Sequence, residues 1–240
     1  SIPYPRYRKY DAYLASITDL ERVHRSIQMN NLLPSAFISV HRSYTSISNL
    51  FDEMGDDCNL FFEKDDIKQF NAFRAEYTNI FDLSQMRNIH RDKLSWNIFK
   101  KGTYTELDKL QEKIDAYHNV FTLATKEFTK YIHDPRNKKG EVMVKIERND
   151  SDGKYLSCTK RRSDYLKAGL KKAGNPTIDL KVSDTLTVSI SSLDIEYKKR
   201  NNITRLEVYA LTNIAAQLIS AQQRIHNKCT RIFKETLFDL

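Results

Sequence analysis

The stretch TELDKLQEKIDAYHNVFTLATKEFTKYI, residues 105–132, decides the fold of this 240-residue chain. Its apolar residues are separated by alternating steps of three and four positions, which is the heptad pattern of coiled coils. The sequence therefore predicts a long helix across 104–135, with one continuous apolar stripe. The stripe consists of Leu107, Leu110, Ile114, Tyr117, Phe121, Ala124, Phe128 and Tyr131.

A second long stripe lies near the end of the chain and repeats the same steps, with Gln222 as its one polar member. We expect a helix across 193–240. Because two such stripes in one chain bury their apolar faces best against each other, we expect the two helices to pack antiparallel. The second stripe consists of Val208, Leu211, Ala215, Leu218, Gln222, Ile225, Cys229 and Ile232.

Residues 1–103 predict a group of shorter helices, separated by breaks such as the one at Gly55. The acidic residues Glu63, Asp65 and Asp66 are compatible with a metal site, but the first turn of a helix explains them better, since carboxylates are stabilised at its positive end. Helical spacing of apolar residues covers 13–29, 34–51, 67–81 and 82–90.

Between the two long stripes the apolar period changes to two, which is typical of strands. Residues 141–148 and 154–160 read as a hairpin, with Val142, Val144 and Ile146 facing inward. A short basic helix over 162–173 and two strands near 178–182 and 186–190 follow. The predicted fold is thus mainly α, with two long antiparallel helices and a small four-stranded α+β region over 136–192.

This α+β region carries most of the net charge. Residues 136–182 contain 13 Lys and Arg against six Asp and Glu, a net charge of +7, whereas the whole chain has +8. Charge concentrated in this way is typical of a surface that binds a polyanion, although a charged face can also serve solubility alone. We expect phosphate contacts from Lys138, Lys139, Lys160, Arg161, Arg162, Lys167, Lys171 and Lys172.

The sequence gives no sign of catalytic chemistry. It contains no phosphate-cradling glycine motif, no nucleophile elbow and no zinc-protease motif, and its six histidines are not spaced as ligands. We therefore predict no catalytic, cofactor-binding or metal site. The three widely spaced cysteines favour a reducing, intracellular compartment, and no apolar run approaches the ~20 residues of a membrane span.

Four stretches, in collinear order, resemble motifs of the MutS family of DNA mismatch-repair proteins. The match extends over essentially the whole chain, and the order of the motifs around the two long helices makes it more specific than any one of them. They are LASITDLER at 14–22, FKKGTYTELD at 99–108, GKYL at 153–156 and LFDL at 237–240.

The resemblance implies a helical core and lever base over 1–103, a descending lever helix over 104–135, a clamp over 136–192 and a returning lever helix over 193–240. It implies duplex DNA as the partner, gripped without sequence preference. It also implies a longer parent, a homodimeric DNA-dependent ATPase that uses ATP and Mg²⁺. The parent's mismatch-reading domain would precede residue 1 and its ATPase domain would follow Leu240, so the chain itself would not be an enzyme.

Two departures from the bacterial pattern matter. The basic turn TLKNAER of bacterial members is TLTVSIS here, at 185–191, so its phosphate contacts cannot be carried over. The run TKRRSDYL at 159–166 resembles the divergent branch of giant viruses and octocoral mitochondria, which implies host cytoplasm if the parent is viral. Two rival interpretations remain: a coiled-coil arm whose basic head binds RNA, and an interaction scaffold without a nucleic-acid ligand.

Overall fold

The structure, a computed structural model, describes residues 8–89, 94–136 and 141–239. It is mainly α-helical with a small antiparallel β region, as the sequence predicts. The chain divides into two compact units, which we describe separately. The first unit comprises residues Ser1–Asp108 and Arg224–Leu240, and the second comprises Lys109–Gln223.

Short helices make up most of the first unit. The predicted helix over 13–29 is in fact two helices, because the Asp19 carboxylate accepts a hydrogen bond from the backbone N–H of Arg22 at 3.0 Å and caps a new helix there. The helices are α1 (Arg8–Ala15), α2 (Leu20–Gln28), α3 (Pro34–Met54), α4 (Lys64–Ile80) and α5 (Leu83–Arg87), with a 3-10 helix at Gly55–Leu60 between α3 and α4.

An aromatic cluster forms the core of this unit. The Phe37 ring contacts Tyr77, Phe81 and Phe233, with centroid distances of 5.3, 5.2 and 5.9 Å. All four side chains are essentially inaccessible to solvent. Rings in tilted or edge-on contact at these distances stabilise a core beyond the area that they bury. The acidic residues 65 and 66 lie in the first turn of α4, which confirms their interpretation as a helix start.

The two long helices are α6 (Thr105–Lys130) and α8 (Tyr209–Asp239). The apolar stripe of α6 is confirmed: it is buried from Leu107 to Phe128, and beyond the helix end Ile132 takes the buried position expected of Tyr131. On α8 the predicted Gln222 and Ile232 are only half-buried, and their neighbours Ala221 and Phe233 are buried instead.

Contacts between α6 and α8 occur in both units. Lys228 forms an ion pair with Glu106 in the first unit. In the second, the Tyr117 hydroxyl donates to the side-chain oxygen of Gln217 at 2.5 Å. Also in the first unit, the hydroxyl of Tyr104, next to the start of α6, hydrogen-bonds to Thr236 of α8 at 2.8 Å. The partner's number thus falls from 236 to 228 between Tyr104 and Glu106, so the two helices run antiparallel there.

Six strands lie in the described part of the second unit, rather than the four predicted. Residues 193–208 are not part of the long helix. A short 3-10 helix at Ser192–Asp194 is followed by β5 and β6, which complete a four-stranded antiparallel sheet of order β1-β2-β6-β5, while β3 and β4 pair with each other. Thr204, Leu206 and Val208 are buried alternately, a strand pattern. The strands are β1 (Lys145–Asn149), β2 (Gly153–Thr159), β3 (Thr177–Lys181), β4 (Thr187–Ser191), β5 (Glu196–Arg200) and β6 (Ile203–Glu207).

The first strand differs from its prediction in phase. Of the three residues expected to face inward, only Val144 is buried, whereas Val142 and Ile146 are exposed. The β1 strand lies at the edge of the sheet, and its half-buried residues are Glu147 and Asn149. The Glu147 carboxylate accepts hydrogen bonds from Tyr155 and Ser157 of β2. A polar pairing with β2 thus sets the orientation of β1.

Candidate nucleic-acid interface

The predicted basic helix is present as α7 (Lys160–Lys172) and follows β2 without a loop. Thr159 is the last residue of β2 and also the cap of α7, because its hydroxyl accepts from the backbone N–H of Arg162 at 3.3 Å. Ser163, Leu166 and Leu170 form the buried face of the helix. The Ser163 hydroxyl hydrogen-bonds to Thr204 of β6 at 3.0 Å, which places α7 against one face of the sheet.

Close backbone contact fixes the far end of α7. A Cβ atom at Gly169 would lie 2.0 Å from the carbonyl oxygen of Tyr131, just beyond the end of α6. Only a glycine allows the two segments to approach this closely. The helix therefore cannot shift along the sheet without losing this contact, and its outer face has a fixed orientation.

Two of the predicted phosphate-binding residues are already engaged in ion pairs. Arg161 lies 2.5 Å from a carboxylate oxygen of Asp134, whose side chain is fully buried. Arg162 lies 2.8 Å from Glu141, and only 15% of its side chain is exposed. These pairs fasten α7 to the segments that follow α6 and precede β1. Both arginines thus have structural partners, whatever they contact in addition.

The outer face of α7 carries Lys160, Asp164, Lys167 and Lys171, which follow one another at helical spacing and are exposed. Lys172 is also exposed but lies about 100° further around the helix. The remaining predicted contacts, Lys138 and Lys139, lie outside the described residues.

Strand β5 adds a cation, Lys199, that is not among the phosphate contacts predicted from the sequence. The ammonium group of Lys199 lies 2.7 Å from the Asp164 carboxylate, and that of Lys167 lies 5.8 Å from the centre of the Tyr197 ring. Residues 197 and 199 therefore face α7. We call Lys160, Lys167 and Lys171 of α7, together with Lys199 of β5, the basic face.

The carboxylate of Asp164 lies among these lysines, and its pKa indicates that the electrostatic potential around it is positive. Its pKa is lowered, first by the hydrogen bond from Lys199 and then by the positive charges of Lys199, Lys160 and Lys167. One carboxylate among four cations leaves the basic face with a positive charge. Within the described part of the chain, Lys160, Lys167 and Lys171 make no ion pair.

The opposite face of the sheet is different, because its charges are neutralised. Arg205 on β6 pairs with Asp152 at 2.8 Å and stacks over the Tyr155 ring at 4.4 Å. Lys198 forms an ion pair with Glu207. Positive charge without a matching carboxylate is thus found on the α7 side of the sheet.

The β3–β4 pair shows no comparable concentration of charge. Its inner face is apolar and consists of Ile178, Leu180, Val188 and Ile190, whereas its outer face carries mostly hydroxyl groups. In the turn at 183–186, the Ser183 hydroxyl accepts from the backbone N–H of Leu186 at 3.1 Å, and Lys181 pairs with Asp184 at 3.3 Å.

Other kinds of site find no support in the part of the chain that the structure describes. There, no group of three or more His, Cys, Asp or Glu residues is arranged to hold a metal ion. No helix among the described residues is long and apolar enough to span a membrane. Cys58, Cys158 and Cys229 are free and buried, and burial raises the pKa of Cys158 and Cys229 to about 11, so these thiols are poor nucleophiles.

Comparison with known proteins gives one informative similarity. No known family profile matches the chain. The chain is 28% identical over 198 residues, 80% of its length, to a protein of Acanthamoeba polyphaga mimivirus that is named as a DNA mismatch repair protein, a mutS homolog. The matched region is 17% of that viral protein. The similarity supports a relationship to MutS proteins, and the chain spans only a small part of the length of this viral relative.

Proposed function

We propose that the chain binds the backbone of duplex DNA without sequence preference, as the lever and clamp region of a MutS-related protein. The observation that carries this proposal is the basic face, where four cations surround one carboxylate on a helix that is fixed to the sheet. Lysine ammonium groups are strongly hydrated point charges, which suit phosphate contacts better than the reading of base edges.

The similarity to the viral mutS homolog supports the same function, since its name assigns it to DNA mismatch repair. We propose, from the resemblance of the sequence motifs, that the chain belongs to a homodimeric ATPase that uses ATP and Mg²⁺. In this proposal the chain contributes DNA grip and no catalysis. Its resemblance to the viral branch favours host cytoplasm as the place of action.

We also propose a division of the chain into lever and clamp. Residues 1–103 would form the lever base, and α6 and α8 would form the two lever helices. The clamp would extend to Glu207 rather than to residue 192, because β5 and β6 complete the sheet on which α7 lies. The returning lever helix would then begin at Tyr209.

The proposal is tested by fluorescence anisotropy with a labelled duplex of about 20 base pairs. With four to six phosphates neutralised, log K should fall with log salt concentration at a slope of roughly −4 to −5. A duplex with one G·T mismatch should bind with the same affinity as the matched duplex, because base reading is assigned to another domain.

A structured RNA at equal salt distinguishes the rival function. Tighter binding to RNA than to DNA would favour an RNA-binding arm. No saturable binding to either nucleic acid would leave an interaction scaffold. A tenfold preference for the mismatch would contradict the assignment of base reading to a domain outside this chain.

A further inference from the structure

Three adjacent large apolar residues are exposed in the first unit, at the connection between α3 and α4. Leu60 is 71% exposed, Phe61 61% and Phe62 41%. Single exposed apolar residues are normal on protein surfaces, but several adjacent ones mark a binding site more often than chance. These residues lie outside the basic face and take no part in the proposed DNA binding.

The connection that presents them is ordered by its own contacts. The 3-10 helix at Gly55–Leu60 begins at a glycine with φ of +54°, and it buries the side chain of Cys58. The Phe62 ring packs on Phe51 of α3 at 5.0 Å, and the backbone N–H of Phe61 donates to the carbonyl oxygen of Cys58 at 3.0 Å. Leu60 and Phe61 are therefore held outward by a structured turn.

Carboxylates surround these apolar residues. Residues 52–66 contain seven Asp and Glu against a single Lys, a net charge of −6 in a chain whose total is +8. Two of the seven have partners, since Glu53 pairs with Lys9 at 2.8 Å and Asp65 accepts from Gln69 at 3.0 Å. Within the described residues the other five make no ion pair: Asp52, Asp56, Asp57, Glu63 and Asp66. We call residues 52–66 the acidic apolar turn.

We propose that the acidic apolar turn binds a basic amphipathic segment of a protein partner. Its apolar residues require a ligand with an apolar side, which excludes a phosphate backbone, and its carboxylates repel polyanions. A segment with Lys or Arg beside Leu-like anchors satisfies both requirements, because it buries Leu60 and Phe61 while its cations meet the unpaired carboxylates.

The test uses a fluorescein-labelled amphipathic peptide of Leu and Lys, about 18 residues long, and the full chain. Replacing Leu60→Ser together with Phe61→Ser should weaken binding about tenfold or more, since the anchors are lost. Replacing Asp56→Asn and Asp57→Asn should weaken it roughly threefold, with a smaller salt dependence. The matched control, Met29→Ser with Leu33→Ser, removes two exposed apolar residues of the same unit and should bind the peptide as the wild type does.

Several outcomes would overturn the proposal. These are equal loss of binding in the control, no saturable binding of the peptide to the wild type, and equally tight binding of a Leu and Glu peptide. A dimer of the chain that Leu60→Ser with Phe61→Ser dissociates would replace the partner segment with a second copy. Duplex DNA should bind equally well to the wild type and to the variant with Leu60→Ser and Phe61→Ser. The peptide experiment therefore tests this inference independently of the proposed DNA binding.

Discussion

Removing three cations from the basic face should reduce DNA affinity by an amount that depends on salt in a calculable way. Changing Lys160, Lys167 and Lys171 to Ala removes three exposed ammonium groups that make no ion pair within the described residues. Each phosphate contact contributes about 0.9 to the salt slope, so the slope should decrease by up to about 2.7. Taking equal affinity of variant and wild type at 1 M salt as the reference, the dissociation constant of the variant should be roughly 500-fold higher than that of the wild type at 0.1 M salt. At 0.2 M salt it should be about 80-fold higher.

The matched control removes the same charge from exposed positions of α6, by changing Lys109, Lys126 and Lys130 to Ala. Both variants have the same net charge, and alanine favours the helix in each, so circular dichroism should show folded protein. Anisotropy titrations at several salt concentrations give the affinities and the slopes. If both variants lose affinity equally, binding is diffuse and the basic face has no special role. If neither loses affinity, the proposed function is wrong.

Three further predictions concern the fold that holds this face. Changing Arg161 to Ala leaves the buried Asp134 carboxylate without its cation, and because the arginine itself is partly exposed we expect a loss of about 1–3 kcal/mol in the free energy of unfolding by urea, less with Lys at this position. Changing Gly169 to Ala places a Cβ 2.0 Å from a backbone carbonyl oxygen and should cost about 1–3 kcal/mol in the same assay, whereas a neutral result would mean that the helix can move. Burial and the nearby Lys154 cation lower the pKa of His118, so the imidazole binds a proton more readily in the unfolded chain than in the folded one. The free energy of unfolding should therefore fall as the pH drops through about 6.5, the ordinary pKa of histidine. In the His118→Gln variant this fall should be weaker, as measured by urea unfolding between about pH 5 and 8.

The long helices could be predicted from the sequence because their signal is local and sustained. The stripe from Leu107 to Phe128 needs only helical geometry to be recognised. Strands β5 and β6 were missed because the stripe of α8 was extended backward from Val208 over residues with no helical spacing. The alternation of Thr204 and Leu206, and the two asparagines at the turn before them, are the signals that could have identified this hairpin.

The composition of the basic face could be predicted only in part. Charge concentration singles out the segment that forms α7, but nothing in the sequence shows that Arg161 faces a buried carboxylate. That partner, Asp134, comes from a segment 27 positions earlier and reaches the helix only through tertiary packing. Lys199 was missed for the same reason, since its place beside Asp164 depends on β5 lying next to α7.

The direct passage from strand to helix at Thr159 has a mechanical consequence. Strand β2 is hydrogen-bonded on both sides, to β1 and to β6, and it continues into α7 without slack. A bound polymer that pulls on the helix applies a force along the axis of β2. This force acts parallel to the strand, so the hydrogen bonds to β1 and to β6 resist it together. The helix therefore has no loop at its start, and a pull along the strand is resisted by the hydrogen bonds at the centre of the sheet.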